Sequence, residues 1–117
     1  MTALGTVIQA LARRDGVDAA LLLSGDGLPI EHAARGGFEA ETVAALAATL
    51  AQYAGRLGQG AGRGALGTAV MEFGDGQVVL ARVGGDDWLA VLAAAGADIG
   101  ELLYDLRIHR PALEALL

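Results

Sequence analysis

The segment Glu39–Gly58 limits the fold more than any other part of the chain, because its sequence suits one long helix with three different faces. At 100° per residue, the larger apolar side chains fall on one broad stripe, which is the pattern of a helix that lies on a core. This stripe comprises Val43, Leu46, Ala47, Leu50, Tyr53, Ala54 and Leu57. The sequence therefore predicts that this face packs against the rest of the molecule.

A second stripe of the same helix contains only small residues, namely Ala44, Ala48, Ala51, Gly55 and Gly58. Small side chains allow another helix or backbone to approach closely, so we expect a second copy of the helix to pack here. The alternative is that an alanine-rich chain uses Ala throughout because Ala is the best helix former. The remaining face is polar and comprises Glu41, Thr42, Thr49, Gln52, Arg56 and Gln59.

Before this helix, the sequence predicts one amphipathic helix and two strands. The helix is Thr2–Arg14, with Arg13 and Arg14 in its last turn and Gly16 after it. Val17–Leu23 is apolar on both faces after Asp18, as in a central strand. Leu28–Ala34 contains Pro29, which cannot donate a sheet hydrogen bond and so indicates an edge strand.

After the long helix, the sequence predicts three strands and a helix. The strands Leu66–Phe73, Gln77–Val83 and Trp88–Ala95 are separated by short Gly-Asp turns and form an antiparallel meander, with the Trp88 ring in the core. The uncharged third strand should lie beside Val17–Leu23. Asp98 and Glu101 have the spacing of a capping box at the start of the last helix. We expect Pro111 to end or kink that helix and Ala112–Leu117 to form a short apolar tail.

These elements predict an α+β fold, an α/β sandwich with element order α-β-β-α-β-β-β-α. A sheet whose inner strands are apolar on both sides needs cover on both sides. We therefore expect the long helix on one face of a five-stranded antiparallel sheet and the two terminal helices on the other. We expect residues 1–117 to form a single domain.

Composition excludes several classes of function. The net charge of −6 and pI near 4.6 argue against binding to a nucleic-acid backbone. The apolar runs are shorter than the roughly 20 residues of a membrane-spanning helix, so no membrane insertion is expected. No basic segment precedes an apolar run at the start, so no signal peptide is expected. The absence of Cys fits a cytoplasmic protein.

The residues that could carry chemistry do not form a catalytic pattern. His32 and His109 are the only histidines, and Ser24 is the only serine, so neither a zinc site nor a Ser-His-Asp arrangement is expected. Gly62, Gly64 and Gly67 match G-x-G-x-x-G, but they follow a helix and precede a strand, the reverse of the dinucleotide-binding order. We therefore expect no catalytic residue, no metal and no cofactor, and we expect that the protein is not an enzyme.

Four stretches of the chain resemble a known family. They are V-D-A-A-L-L-L-x-x-D-G-x-P-I at Val17–Ile30, E-x-V-A-A-L at Glu41–Leu46, G-D-G-Q-V-V-L-A-R-V at Gly74–Val83 and D-I-G-x-L-L-Y-D-L-R at Asp98–Arg107. With the order of elements, they resemble the roadblock family of dynein-light-chain-like proteins, in particular its small bacterial and archaeal MglB-type members. The resemblance implies a profilin-like fold.

The resemblance also implies a homodimer in which the third strands pair edge to edge and the long helices lie side by side. This agrees with the apolar edge Leu66–Phe73, which neither Pro nor Lys protects. The implied dimer contacts are Ala44, Ala48, Ala51 and Gly55 on the helix, with Leu66, Thr68, Val70 and Glu72 at the strand. A heterodimer with a related chain remains an alternative.

Members of this family commonly act as non-catalytic partners of Ras-like small GTPases, and MglB-type members stimulate GTP hydrolysis. On this chain the implied GTPase-binding platform is the polar stripe Glu41, Thr49, Gln52, Arg56 and Gln59. The resemblance thus implies a homodimeric regulator of a small GTPase. The alternative is a dimeric adaptor in a signalling or motility complex that leaves nucleotide turnover unchanged.

Overall fold

The computed structural model describes residues 2–117, so Met1, which the predicted domain includes, lies outside the described residues. Within that range the chain forms three helices and five strands in the predicted order. They are α1 (Ala3–Ala12), β1 (Val17–Leu23), β2 (Pro29–Ala34), α2 (Ala40–Gly60), β3 (Thr68–Phe73), β4 (Gly76–Val83), β5 (Asp87–Ala94) and α3 (Ile99–Ala115).

The strands form one antiparallel sheet in the order β2-β1-β5-β4-β3. The apolar strands β1 and β5 are neighbours, with Leu21 opposite Ala90, as the sequence predicted. The strand that contains Pro29 lies at one edge, and β3 lies at the other. The predicted antiparallel α+β fold is confirmed.

Both faces of the sheet are covered, as predicted. Side chains alternate along each strand, so that Leu21 and Leu23 of β1 face α2 while Ala20 and Leu22 face α1 and α3. The cluster under α2 also includes Leu80, Ala90 and the buried ring of Trp88, which confirms the core position expected for that ring. The cluster on the opposite face includes Ile8 and Leu11 of α1 and Leu102, Leu106 and Leu113 of α3.

Helix α2 lies on the sheet with a different face from the one that the sequence predicted. Its small residues Ala44, Ala48 and Ala51 are only 0%, 5% and 5% exposed, and they pack on the sheet within the same chain. The predicted core stripe is largely outside: Leu46, Leu50, Tyr53 and Leu57 are 66%, 40%, 62% and 73% exposed, and only Val43, Ala47 and Ala54 are half-buried. The assignment of the larger apolar stripe to the core is therefore wrong.

The physical reason is that the sheet already supplies the large side chains at this contact. Leu21, Leu23 and Leu80 stand under the helix together with Trp88, so the helix fits only if its own side chains there are small. The β1–β2 turn also comes close to the helix at Gly27. This residue has φ +85°, and a Cβ there would lie 3.2 Å from the Cα of Ala45 and 3.4 Å from the Cβ of Ala48.

The end of α1 is capped from a neighbouring strand segment and not by its own basic residues. The helix ends at Ala12, two residues before the predicted end. Arg35, which follows β2, donates hydrogen bonds to the carbonyls of Ala12, Arg13 and Arg14 at 3.3, 2.8 and 2.9 Å. Arg14 instead forms ion pairs with Asp105 and, at 3.6 Å, with Glu101 of α3. These contacts connect the end of α1 to the segment after β2 and to α3.

Helix α3 starts as predicted but does not end as predicted. The Asp98 carboxylate accepts a hydrogen bond from the Glu101 backbone N–H at 3.0 Å, which confirms the N-cap. The helix then runs through Pro111 to Ala115, and Leu113 is buried. The predicted tail after Pro111 is therefore wrong, because burial of Leu113 in the core favours continuing the helix over the cost of an interior Pro.

The orientation of α2 predicts effects of different size for two alanines of this helix, Ala48 and Ala45. Ala48→Leu should lower the free energy of unfolding by about 1–3 kcal/mol, since extra methylenes overpack the contact with the sheet. Ala45→Leu, at an exposed position of the same helix, should change it by less than about 0.5 kcal/mol. Urea unfolding at equal chain concentration measures both. Equal effects would contradict the orientation described above.

The packing of the last helical turn predicts that Leu113→Ala lowers the free energy of unfolding by about 2–5 kcal/mol, as expected for a large-to-small core substitution. Leu116→Ala, where the side chain is exposed, serves as the control and should have a much smaller effect. Thermal unfolding of both variants tests this. A neutral Leu113→Ala would mean that the segment after Pro111 does not pack.

Candidate interaction surface

The most unusual surface of the molecule is the outer face of α2, where four large apolar side chains are exposed on one helix. Leu46, Leu50, Tyr53 and Leu57 follow one another at intervals of three or four residues, so they form a continuous row, here called the apolar stripe. Scattered apolar side chains are normal on a protein surface, but a contiguous apolar patch marks an interaction site.

The apolar stripe continues towards the free edge of the sheet at β3. Val43 and Ala47, which adjoin the stripe on the helix surface, belong to the same cluster as Ala69 and Met71 of β3. Within the described residues, β3 pairs only with β4, so the backbone groups of its other side are unpaired. Phe73 of this strand, which alternates onto the same face as Ala69 and Met71, is also exposed, whereas the exposed Val70 lies on the α3 face with Thr68. Helix stripe and strand edge therefore lie on the same side of the molecule.

The predicted dimer-contact residues are separated by the structure. Ala44, Ala48 and Ala51 are buried against their own sheet, so their assignment to a contact between two helices is wrong. Gly55 is half-buried and lines a polar cleft beside α2.

At the predicted strand contact, Leu66 is half-buried and packs with the cluster under α2. Thr68, Val70 and Glu72 are exposed, and the Thr68 hydroxyl accepts a hydrogen bond from Arg110 at 3.3 Å on the α3 side of the sheet. These strand residues remain a predicted dimer contact.

The predicted platform residues Glu41, Thr49, Gln52, Arg56 and Gln59 are all exposed on α2. Only Gln52, Arg56 and Gln59 come together, along one wall of a polar cleft of about 550 Å³. The opposite wall is formed by the β1–β2 and β4–β5 turns, with Asp26, Asp86 and Asp87. The Arg56 guanidinium lies 5.4 Å from the centre of the Tyr53 ring. It therefore connects the polar face of the helix with the apolar stripe.

The other two platform residues lie apart from this cleft. Glu41 is near the start of α2, about four helical turns from Arg56, and lines a groove beside β2. The Thr49 hydroxyl donates a hydrogen bond to the Ala45 carbonyl at 3.0 Å, within the helix. The structure therefore divides the predicted platform into a group of three and two separate residues.

Sequence reasoning did not identify Arg82, which builds the inner wall of the cleft. Its guanidinium lies 4.5 Å from the centre of the Trp88 ring and donates hydrogen bonds to the carbonyls of Leu66 at 3.1 Å and Gly85 at 3.0 Å. Arg82 thus holds the α2–β3 connection and the β4–β5 turn in place. The signal that could have revealed it is a charged residue inside an otherwise apolar strand.

The groups that could carry chemistry lie apart from one another. The Ser24 hydroxyl accepts a hydrogen bond from the Leu28 backbone N–H at 3.2 Å, a contact that belongs to the β1–β2 turn. His32 lies on β2 against the Phe38 ring, with 5.6 Å between ring centres, while His109 lies on α3. Among residues 2–117, no group of three or more His, Cys, Asp or Glu side chains could hold a metal ion.

Over the same residues, no helix has the length and apolar character needed to cross a membrane. The outer side of α2 carries the apolar stripe beside a polar wall, and this arrangement is suited to contacts with other proteins.

Comparisons with known proteins agree with this fold. The Roadblock/LC7 domain model matches residues 3–93. Among solved structures, the chain is similar to a Roadblock/LC7 domain from Streptomyces avermitilis, with 28% identity and a TM-score of 0.82 over 96% of this chain and 98% of that one. It is also similar to Myxococcus xanthus MglB, with 17% identity and a TM-score of 0.90 over 98% and 94% of the two chains.

A third similar structure is MglB in a tetrameric arrangement, with 18% identity and a TM-score of 0.88 over 99% of this chain and 91% of that one. A comparison with curated protein sequences found no significant match. Because the family model matches most of its length, the chain belongs to the Roadblock/LC7 family.

Proposed function

We propose that the protein is a cytoplasmic, non-catalytic homodimer that regulates a Ras-like small GTPase. The observation that carries this proposal is the apolar stripe Leu46, Leu50, Tyr53 and Leu57 beside the unpaired edge of β3. A second copy of the chain can cover both at once, because a two-fold axis brings the same stripe and the same edge together.

Two physical arguments favour self-association through this surface. Full burial of one large apolar side chain contributes about 1.5–3 kcal/mol before the costs of association. The stripe offers four such side chains per copy, and because they are 40–73% exposed each can contribute part of that amount. An unpaired, partly apolar edge strand is also a liability unless another strand pairs with it. The likeness to MglB in a tetrameric arrangement supports self-association in general.

The polar wall of α2 is the surface proposed for the GTPase. In the proposed dimer the apolar stripes are buried, and Gln52, Arg56 and Gln59 remain exposed on each helix. Arg56 brings a planar cation with several donors, which suits the carboxylates of a partner surface. Membership of the Roadblock/LC7 family supports a regulatory role, and the resemblance to its MglB-type members implies a Ras-like GTPase as the partner.

The second candidate function is that of a dimeric adaptor. The same exposed helix can join two larger proteins without any effect on nucleotide hydrolysis, and the separation of Glu41 from the Arg56 group provides two different contact regions per chain. Both functions require the dimer, so its formation is tested first.

We expect the wild-type chain to be a dimer in solution and Leu50→Glu to be a folded monomer, because the charge would have to be buried against the second helix. Light scattering gives the mass, and circular dichroism shows whether the fold is kept. Gln52→Glu introduces the same side chain on the polar face of the same helix and should remain dimeric. A dimeric Leu50→Glu would move the interface away from the apolar stripe.

We expect the wild-type dimer to accelerate GTP hydrolysis by a Ras-like GTPase of the source organism, and Arg56→Glu to weaken their binding about tenfold or more while the dimer persists. Single-turnover hydrolysis and titration calorimetry measure the two effects. The control is Arg107→Glu, which makes the same charge change on an exposed part of α3.

Binding without any change in hydrolysis or nucleotide release would favour the adaptor function. Absence of binding to every Ras-like GTPase tested, with the dimer intact, would contradict the regulatory proposal.

A further inference from the structure

A second feature lies on the opposite face of the sheet, between the two terminal helices. An apolar cleft of about 310 Å³ separates α1 from α3. Its floor is formed by strand residues that include Val83 and Leu89, and its walls by Val7 and Leu11 of α1 and Leu106 and Leu113 of α3. Neither Roadblock/LC7 membership nor the apolar stripe on α2 accounts for this cleft.

The rim of the cleft is cationic, although the chain as a whole carries a net charge of −6. Arg14, His109 and Arg110 are the polar residues that line it. Arg14 is paired with Asp105 and Glu101, so its charge is already balanced. The Arg110 guanidinium donates a hydrogen bond to the Thr68 hydroxyl, and its further N–H groups can serve another acceptor. His109 beside it is exposed.

An apolar interior with a cationic rim is complementary to one class of small molecule. Water gains little in such a space, because it needs two to four polar partners. A neutral apolar molecule would leave the rim unused. An amphipathic anion fits both parts, since its aliphatic chain can contact the leucines while its carboxylate accepts hydrogen bonds from Arg110 and His109.

We propose that the cleft between α1 and α3 binds a medium-chain aliphatic carboxylate. The cleft volume limits the chain length: it is about twice the roughly 150 Å³ of an engineered apolar cavity that binds benzene, and it lies at the lower end of small-molecule sites. A medium-length fatty acid such as decanoate is therefore a suitable probe. Binding here does not depend on the proposed dimer or on a GTPase.

The test is a titration of the ¹⁵N-labelled full chain with decanoate at pH 8, below the concentration at which decanoate forms micelles. We expect saturable binding with one site per chain and shifts in the amide signals of Val7, Leu11, Leu89 and Leu113. 1-Decanol, which has the same chain without the charge, should bind about tenfold more weakly.

Two variants separate the contributions of shape and charge. Ala10→Trp, at an exposed position of the cleft wall, should fill the opening and weaken binding at least tenfold without unfolding the chain. Arg110→Gln should weaken decanoate binding about tenfold and leave decanol binding unchanged. Arg107→Gln, which removes the same charge from α3 outside the cleft, is the matched control and should bind as the wild type does.

Three results would overturn the proposal. They are shifts centred on the apolar stripe of α2, unchanged binding by Ala10→Trp, and equal affinity for decanoate and decanol. Decanoate binding that does not saturate would also overturn the proposal. The occupant of the cleft would then be an apolar side chain of a protein partner. None of these results bears on the GTPase assay, so this proposal and the proposed function can fail separately.

Discussion

The contact between the alanine face of α2 and the sheet is the interaction on which the rest of the structure depends. Ala44, Ala48 and Ala51 let the helix lie directly on the large side chains of β1, β4 and β5. Gly27 allows the β1–β2 turn to reach the same helix, since any side chain there would meet Ala45 and Ala48. Because small residues occupy the inner face, the large apolar residues of the helix must lie outside. The same contact therefore stabilises the fold and creates the apolar stripe.

The two faces of the sheet are covered in different ways, and each leaves a different surface. One long helix with small inner residues comes close to the sheet and displays leucines to the outside. On the other face, two shorter helices present large side chains to the sheet and are connected at one end by Arg14, which pairs with Asp105 of α3. Their larger side chains hold them apart, and the space between them is the cleft with the cationic rim. The first surface suits another protein, and the second suits a small amphipathic anion.

Much of the fold could be predicted from local patterns. The continuous apolar runs of β1 and β5, the Gly-Asp turns, Pro29 at an edge and Asp98 at a helix start each act over a few residues, so the order of elements and the sheet neighbours followed from them. The end of α3 could not be predicted from local patterns, because the burial of Leu113 offsets the local cost of Pro111 within the helix. Arg82 was also missed, since its partners Leu66, Gly85 and Trp88 are brought to it only by folding.

The sequence by itself determined that α2 has three faces and that the chain has the Roadblock/LC7 pattern of elements. Only the tertiary structure decided which face of α2 lies inward. Helix periodicity shows that the two stripes of α2 differ in side-chain size and polarity, and hydrophobicity alone favours burial of the leucines. Which face of α2 lies inward depends on the side chains that the sheet presents to the helix. These are Leu21, Leu23, Leu80 and Trp88, and they come together under the helix only when β1, β4 and β5 pair. Packing at constant density then requires the smaller stripe at that contact.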